Sequence, residues 1–450
     1  MKFLITGKDG MATALAWTLQ NIGGHDVRLF IAEKEHKEHL EGMVKQVPTL
    51  QAGLMWLGRA SDSYFIAEDE TDMTRLRTAG YKGYGGNGFT AHFEKDRNFE
   101  MMIAEKCGIA VPNHHPVKSI EEGIKFIKAH PDTYVLKQMG ECPKTWNFVG
   151  GDEDGEDVIH QLEWIKTTPE FKKLKSVPFM LQELVEGIEF ATSAFWMYDD
   201  WKRDDDGNIV VEINREHKKM LTGDLGLSCG EMGTVGMITT EHVKLFHETV
   251  EKYTPILKEK CKDVCISIDA NCGIAEEKDR IRAYLFETTI REGYPWQSLE
   301  GYLIGKDTDM GEFFADLIDG RQGNVGWSKN WGVVTVLGTG QFPHEFMGDD
   351  DTGSFHNQPV RFPFDMDDWS EHVQPGWIKY DPKAGLFRVA DCYEDVCTVT
   401  YDDADIAHAN ERCMEMMKKI QVRAPFYRTD IGEKFQKEEM PKLRKWGYLA

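Results

Sequence analysis

The stretch HKKMLTGDLGLSCGEMG, residues 217–233, places His217, Lys218 and Lys219 ahead of four glycines, with no apolar periodicity. Glycine lets a backbone turn freely and approach a ligand closely. The three side chains add donors and charge, so cradling a phosphate or carboxylate is the chemistry that fits. A mobile surface loop fits the same composition. Three further stretches carry reactive types. Lys137 sits late in the apolar run TYVLKQM, either as a strand lysine reaching solvent or as a phosphate-binding lysine on a sheet. LQELVEGIE, residues 181–189, is an apolar strand ending in alternating acids and aliphatics. Such an edge offers an adenine ring a slot, and Glu189 offers a ribose an acceptor. In YLFETTIREGYPWQ, Glu287, Thr289 and Arg291 follow one another at the end of a strand. A hard cation such as Mg²⁺ takes oxygen ligands, which Glu287 supplies, with Asp269 on the preceding strand as a further candidate. Arg291 has the fork to clamp a carboxylate. A structural Glu–Arg pair explains the same residues.

These residues need a scaffold of several lobes, and 450 residues supply one. Hydrophobic residues at 41% and aromatics at 11% are globular values. The net charge of −23 argues against general nucleic-acid binding, which needs a basic face, but leaves room for a nucleotide held by a few local cations. No apolar run approaches the roughly 20 residues of a membrane span. The start MKFLITGKDG does not read as a secretory signal. Nine cysteines at irregular spacing without a CxxC read as reduced thiols in a cytoplasm rather than a disulfide or zinc framework.

Strands at MKFLITG, DVRLFIAE and DSYFIAEDE alternate with a helix over residues 11–23, which predicts a small parallel α/β domain over residues 1–93. From residue 94 the pattern changes to helices at RNFEMMIAEKCG and SIEEGIKFIKAH, a strand at TYVLKQM and two sheet segments in PFMLQELVEGIEFATSAFW. A long amphipathic helix is expected over 238–261, then a strand pair at VCISIDANCGIA and IRAYLFETTIR. This predicts an α+β domain over 94–322 with a small lobe at about 112–190, and a strand-rich third unit over 323–450 with one helix in DIAHANERCMEMMKKIQ. The acidic runs DEDGEDV and YDDWKRDDDGN read as solvated turns, because EF-hand spacing is missing.

Taken in order, these pieces resemble the ATP-grasp enzymes, and more narrowly glycinamide ribonucleotide synthetase (phosphoribosylamine–glycine ligase). That family opens with GxGGREHALAW, and this chain has GKDGMATALAW at 7–17. The family's DHKR…GDxGPNTGGMG aligns with EHKKMLTGDLGLSCGEMG, its IEFNCRFGDPE with FETTIREGYPW, and its RKDIG with YRTDIG at 427–432. WGVVTVLGTGQFP is similar to the start of the family's C-terminal lobe. The resemblance implies an ATP-grasp fold with an N-terminal Rossmann-like domain and a C-terminal β-rich lobe. It implies a ligase that activates a carboxylate as an acyl phosphate for attack by an amine. ATP is the nucleotide and Mg²⁺ the ion, with Mn²⁺ as its substitute. Arg97, Lys137, Lys144, His217 and Lys218 would hold phosphates. Gln182, Glu183, Leu184 and Val185 would frame adenine, and Glu189 the ribose. Glu287, Thr289 and Asp269 would serve the metal. Arg291, Lys219 and Gly230 would meet the reacting carboxylate and phosphates. Glycine and phosphoribosylamine would be the substrates, within purine biosynthesis, in a cytoplasmic monomer or homodimer.

The departures concentrate on the acceptor side. GREH has become Gly10, Met11, Ala12 and Thr13, VGPE has become the acidic IAEDETDM, and the acids of GDPE have become Tyr294 and Trp296. The family's metal-binding Asn is Thr289, its usual lysine is Arg97, and the loop after Lys137 is poor in glycine. Aromatics in place of acids reshape an amino-acid pocket, and an acidic segment repels a ribose phosphate. A ligase joining a different amino acid and amine is therefore the alternative, with a non-catalytic ATP-binding descendant as a third reading. A redox Rossmann enzyme lacks its motif, because Thr13 stands where GxGxxG needs glycine.

Overall fold

The computed structural model describes residues 1–69, 71–139, 146–174, 177–240, 242–277, 280–340, 355–366, 369–390 and 394–450. β1 (Lys2–Gly7), β2 (Asp26–Ile31), β3 (Lys45–Gln46), β4 (Ser63–Ala67) and β5 (Lys82–Tyr84) form an all-parallel sheet in the order β3-β2-β1-β4-β5. β4 is buried along its whole length, as a parallel strand covered on both faces should be. The helical run after β1 covers Gly10–Ile22 and begins where the Asp9 side chain accepts a hydrogen bond from the Met11 N–H. This is the α/β unit expected from the alternating pattern.

β6 (His114–Val117), β7 (Tyr134–Gln138), β8 (Phe148–Val149) and β9 (Phe179–Glu183) make an antiparallel sheet in the order β6-β9-β7-β8. Helices Ile120–Ala129 and Glu156–Thr167 cover it. Val117, Ile120, Leu136, Val158 and Leu181 belong to a core of its own. The acidic run DEDGEDV is only partly a turn, because Glu156 and Asp157 open the second helix, where the macrodipole favours acids.

The large sheet is built from β10 (Ile188–Met197), β11 (Asp200–Trp201), β12 (Val210–Glu216), β15 (Gly233–Thr240), β16 (Cys265–Glu277), β17 (Arg280–Thr289) and β18 (Trp331–Thr339), with β13 (Lys219–Leu221) and β14 (Leu225–Ser228) projecting from it as a hairpin. After β18 come β19 (Pro359–Val360), β20 (Val373–Pro375), β21 (Ile378–Asp381), β22 (Leu386–Val389), β23 (Glu394–Asp403) and β24 (Pro425–Phe426). The ladder runs β17-β16-β10-β12-β15-β18-β23-β20, with β11 on β10 and β24 on β18. The sheet therefore passes without a break across residue 322. Helix Ile406–Met417 packs against β18 and β23. Among the described residues no helix is long and apolar enough to cross a membrane, and the described cysteines are free thiols.

Two expectations need correction. The helix expected over 238–261 is broken: Ile238–Thr240 finish β15, and Lys244–Glu248, Val250–Tyr253 and Thr254–Lys260 are separate short helices. Thr249 leaves helical geometry at φ −130°, its hydroxyl donating to the Leu245 carbonyl at 2.6 Å. Pro255 then starts the next helix without an N–H to continue the previous one. The glycine-rich stretch is not a loop but the β13–β14 hairpin, turned by Gly223 at φ +75° and Asp224 at φ +56°.

β15 meets β18 closely. Gly233 has φ +155°, and a Cβ there would lie 2.5 Å from the Val334 carbonyl oxygen. Gly233→Ala is expected to lower stability by about 2–3 kcal/mol, read as a reduced urea midpoint at constant m value. An unchanged midpoint would contradict the tight join between the two strands.

Candidate active site

Antiparallel register sets Asp269 opposite Thr289 and Asn271 opposite Glu287 on β16 and β17. Because side chains alternate with period two, these four oxygen-bearing groups share one face. On β12, Glu212, Asn214 and Glu216 share that face through β10, where Ser193 and Ala191 pair with Asp269 and Asn271.

Three cations from three segments converge on this patch. Lys218 Nζ lies 3.1 Å from Glu287 Oε1 and 3.1 Å from Glu216 Oε2. Arg97, at the start of helix Arg97–Lys106, reaches Glu287 Oε2 at 3.3 Å and donates to the Phe286 carbonyl at 3.0 Å. Lys137 Nζ donates to the same carbonyl at 3.2 Å. Lys218 pulls the Glu287 carboxyl well below the usual range against the effect of burial, with help from Arg97 and Lys137. Burial, reinforced by Arg97, pushes Lys137 down to about 7. Burial raises Asp269 well above an ordinary aspartate, as do Glu216 and Glu212.

The oxygen set of Asp269, Asn271, Glu287 and Thr289 has the hardness that Mg²⁺ requires. It holds two carboxylates, and among the described residues no group of three or more His, Cys, Asp and Glu is arranged as a metal site. At the end of β9, Gln182 is buried. The Glu183 and Leu184 N–H groups donate to the carbonyls of Asn113 and Thr133, at 2.9 and 3.0 Å. Val185 follows, half-buried. Glu189, on β10, stands 4.0 Å from Arg215 Nη1.

Other expected residues lie differently. His217 is buried, with Nε2 accepting from the Gly432 N–H at 3.2 Å and Nδ1 facing the Gly233 carbonyl at 3.2 Å. Both nitrogens are spent on backbone, so His217 ties the hairpin to the C-terminal segment instead of presenting a phosphate donor. Arg291 Nε meets Glu94 Oε1 at 2.9 Å and Nη1 donates to the Glu292 carbonyl, so the carboxylate it clamps here is Glu94. Lys219 is exposed on the hairpin, and Gly230 is exposed in the bend just after it. Lys144 lies outside the described residues.

Sequence reasoning missed the support beneath the hairpin. Arg428, 1% exposed, binds Asp224 at 2.8 Å and Asp430 at 2.7 Å, and donates to the Lys219 carbonyl. Arg428, Asp224 and Asp430, with Arg215, His217 and Glu439, line a cavity of about 290 Å³. The YRTDIG motif contains Arg428 and Asp430, but nothing in the sequence reveals their partner Asp224. Of the two substituted aromatics, Trp296 lies over Gly236, where a Cβ would be 2.5 Å from its ring, and donates to Glu212 Oε2 at 2.9 Å.

No family model matches the chain. Phosphoribosylamine–glycine ligase of Helicobacter pylori J99 is 24% identical over 449 residues, covering 95% of this chain and 92% of that protein. The same-named protein of a second Helicobacter pylori strain is 24% identical over 296 residues, 63% of this chain, which spans 61% of its length. The structure of phosphoribosylamine–glycine ligase from Thermotoga maritima superposes with a TM-score of 0.70 at 16% identity, covering 96% of this chain and 100% of that one. A Campylobacter jejuni biotin carboxylase in complex with an ATP analogue gives a TM-score of 0.60 at 9% identity, covering 98% and 96%. The chain has the ATP-grasp fold, resembles phosphoribosylamine–glycine ligase and diverges in the acceptor motifs.

Burial, then Arg215 and Arg428, pushes His217 from 6.5 down to about 3. The folded state therefore favours the neutral ring, and the unfolded chain binds the extra proton between these values. The stability this contributes is complete above pH 6.5 and is lost as pH falls towards 3. Urea unfolding across that window should show a steeper loss for wild type than for His217→Gln, and equal slopes would refute the buried neutral imidazole.

Proposed function

We propose that the chain is an ATP-dependent carboxylate–amine ligase that forms an amide through an acyl phosphate. The observation that carries this reading is the convergence of Arg97, Lys137 and Lys218 on Glu287, beside the oxygen patch of Asp269, Asn271 and Thr289. Three cations with one shared carboxylate suit a polyphosphate. In the ligase, Arg97, Lys137 and Lys218 hold the phosphates, with Lys144 as a further candidate from the sequence. Gln182 to Val185 frame the adenine and Glu189 takes the ribose. Glu287 and Asp269, with Thr289, hold Mg²⁺ or Mn²⁺, which neutralises phosphate charge when bound.

The substrate carboxylate attacks the γ-phosphorus and ADP leaves. The amine lone pair then attacks the acyl carbon, the C–O bond to phosphate breaks, and the amine gives up a proton. The protein's part is positioning and charge stabilisation. Lys219 on the hairpin and the backbone at Gly230 just after it cover the reacting groups, and Arg291 orients the carboxylate once it exchanges Glu94 for substrate. Glycine with phosphoribosylamine is the family's own pair, and a different amino acid or amine is the alternative. The domains at 1–93, 94–322 and 323–450 serve as acceptor platform, ATP clamp and C-terminal support in a cytoplasmic monomer or homodimer.

ADP and phosphate release from Mg²⁺–ATP, across amino acids with and without phosphoribosylamine, tests this reading. Release that depends on both a carboxylate and an amine is expected, and Lys137→Ala should reduce it at least about 100-fold with the fold intact. Full activity in that variant would remove the proposed anchor of the site.

A further inference from the structure

A second charged cluster lies where the first unit meets the large sheet. Glu68 follows β4, and its N–H donates to the Thr6 carbonyl at 2.9 Å. Glu212 comes from β12, Glu292 follows β17, and Glu300 sits on helix Trp296–Gly305. All four are at most 3% exposed. Glu292 lies beside Glu68, Glu212 and Glu300, close enough to the last to share a hydrogen bond. Tyr84, at the end of β5, donates to Glu292 Oε1. The cluster thus sits at the carboxyl ends of β4 and β5, the edge where open α/β sheets bind ligands.

Two of these carboxylates are satisfied on one side only. Glu212 Oε2 accepts from Ser193 at 2.6 Å and from Trp296 at 2.9 Å. Glu68 Oε1, Glu212 Oε1, Glu292 Oε2 and Glu300 Oε1 have no hydrogen-bond partner. Gln297 adds a non-acidic witness. It is 6% exposed and lies three residues before Glu300, on the same helix face. Its amide nitrogen donates to the Met11 carbonyl, which fixes its oxygen, and that oxygen is also unpartnered. Leaving a buried acceptor unpaired is unfavourable, because it forfeits the hydrogen bond that water would supply. When ionised, these carboxylates and the Gln297 oxygen all accept, so the ligand complementary to the ionised cluster is a donor without lone pairs to place, which is an ammonium or guanidinium group. Burial pushes all four carboxyls up, Glu212 to about 8, and Arg291 opposes the rise at Glu68 and Glu292.

The same edge suits phosphate poorly, because four buried acids gather there and Arg291, which faces Glu68 and Glu292, is paired with Glu94 in this structure. The first βα turn is covered, because a Cβ at Gly10 would overlap the Trp377 indole. In the alignment above, Glu292 stands where the resembled family has phenylalanine. The cluster also adjoins the proposed reaction centre, since Asp269 senses both Glu212 and Glu287.

We propose that the acceptor substrate is a phosphate-free diamine or basic amino acid, whose cationic end is held by Glu68, Glu212, Glu292 and Glu300 with Gln297. This rests on the ligase reading for the word acceptor, but the binding site does not. An ammonium has no lone pair, so the nitrogen held by the carboxylates cannot be the one that attacks. The ligand therefore carries two basic nitrogens.

The probe is 1,4-diaminobutane, titrated calorimetrically into the full chain without nucleotide, then supplied with Mg²⁺–ATP and the amino-acid panel. Binding is expected, weakened at least about 10-fold in Glu292→Gln and in Glu300→Gln, with ATP affinity unchanged. Absence of binding to wild type, or equal affinity in both folded variants, overturns the proposal. The wild-type titration needs no variant, so misfolding of either leaves the test intact. Diamine binding without ADP release from any substrate pair would defeat the ligase reading and keep the cation site. ADP release that requires phosphoribosylamine and ignores the diamine would do the reverse.

Discussion

The pairing of Glu287 with Lys218 and Arg97 is the constraint on which the site's geometry depends. The three residues come from β17, from the segment between β12 and the hairpin, and from a helix that precedes the small lobe. Each charge is partly withdrawn from water, so none is stable unless the other elements are in place. Removing one partner leaves an uncompensated charge, at a cost that solvent reduces because these side chains are 24–38% exposed. Lys137 lies against the same strand through the Phe286 carbonyl, and burial, then Arg97, pushes its ammonium down to about 7. Such an arrangement is stable yet exchangeable. In the proposed ligase an incoming polyphosphate would take over the cations while a metal ion took over the carboxylate, with little net change in buried charge.

The large sheet makes this convergence possible. Strands β10, β12, β16 and β17 run antiparallel, with a register shift between Asn271 and Cys272 on the β16–β17 pair, and one face gathers polar groups from residues far apart in sequence. Asp269 meets Thr289, Asn271 meets Glu287, and Asn271 Nδ2 donates to Glu216 Oε2 at 2.7 Å. The hairpin is fixed to this face from behind. His217 bridges Gly233 and Gly432, while Arg428 binds Asp224 and Asp430. The glycines let the hairpin turn, and these buried bonds hold its base.

Elements governed by local periodicity were legible in the sequence. The parallel strands of the first unit, the strand pair at 265–289 and the helix at 406–417 all follow from apolar spacing and punctuation. The expected helix at 238–261 failed because its apolar period continues through Thr249 and Pro255, where backbone geometry breaks it. The grouping of Lys218, Lys137, Arg97 and Glu287 was legible only as four separate candidates joined by resemblance, since their contact is a property of the sheet. His217 and Arg291 show the opposite limit. Their types suit ligand binding, but Gly432 and Glu94 engage them, and no local pattern announces a partner nearly 200 or more positions away.

Two fields of opposite sign therefore share one sheet face. Cations gather at the Glu287 end, and buried acids gather where Glu212 and Trp296 meet the first unit. Asp269 lies between them, raised by Glu216 and Glu212 and opposed by Lys218. In a low-dielectric cleft such fields act strongly and cost no reorganisation during reaction. A polyphosphate and a cationic amine would each be drawn to its own end, and neither is stable at the other. The substitutions at Glu292, Tyr294 and Trp296 thus form one physical change. In the proposed ligase they would leave the phosphate-holding charges in place and favour a cation at the opposite end.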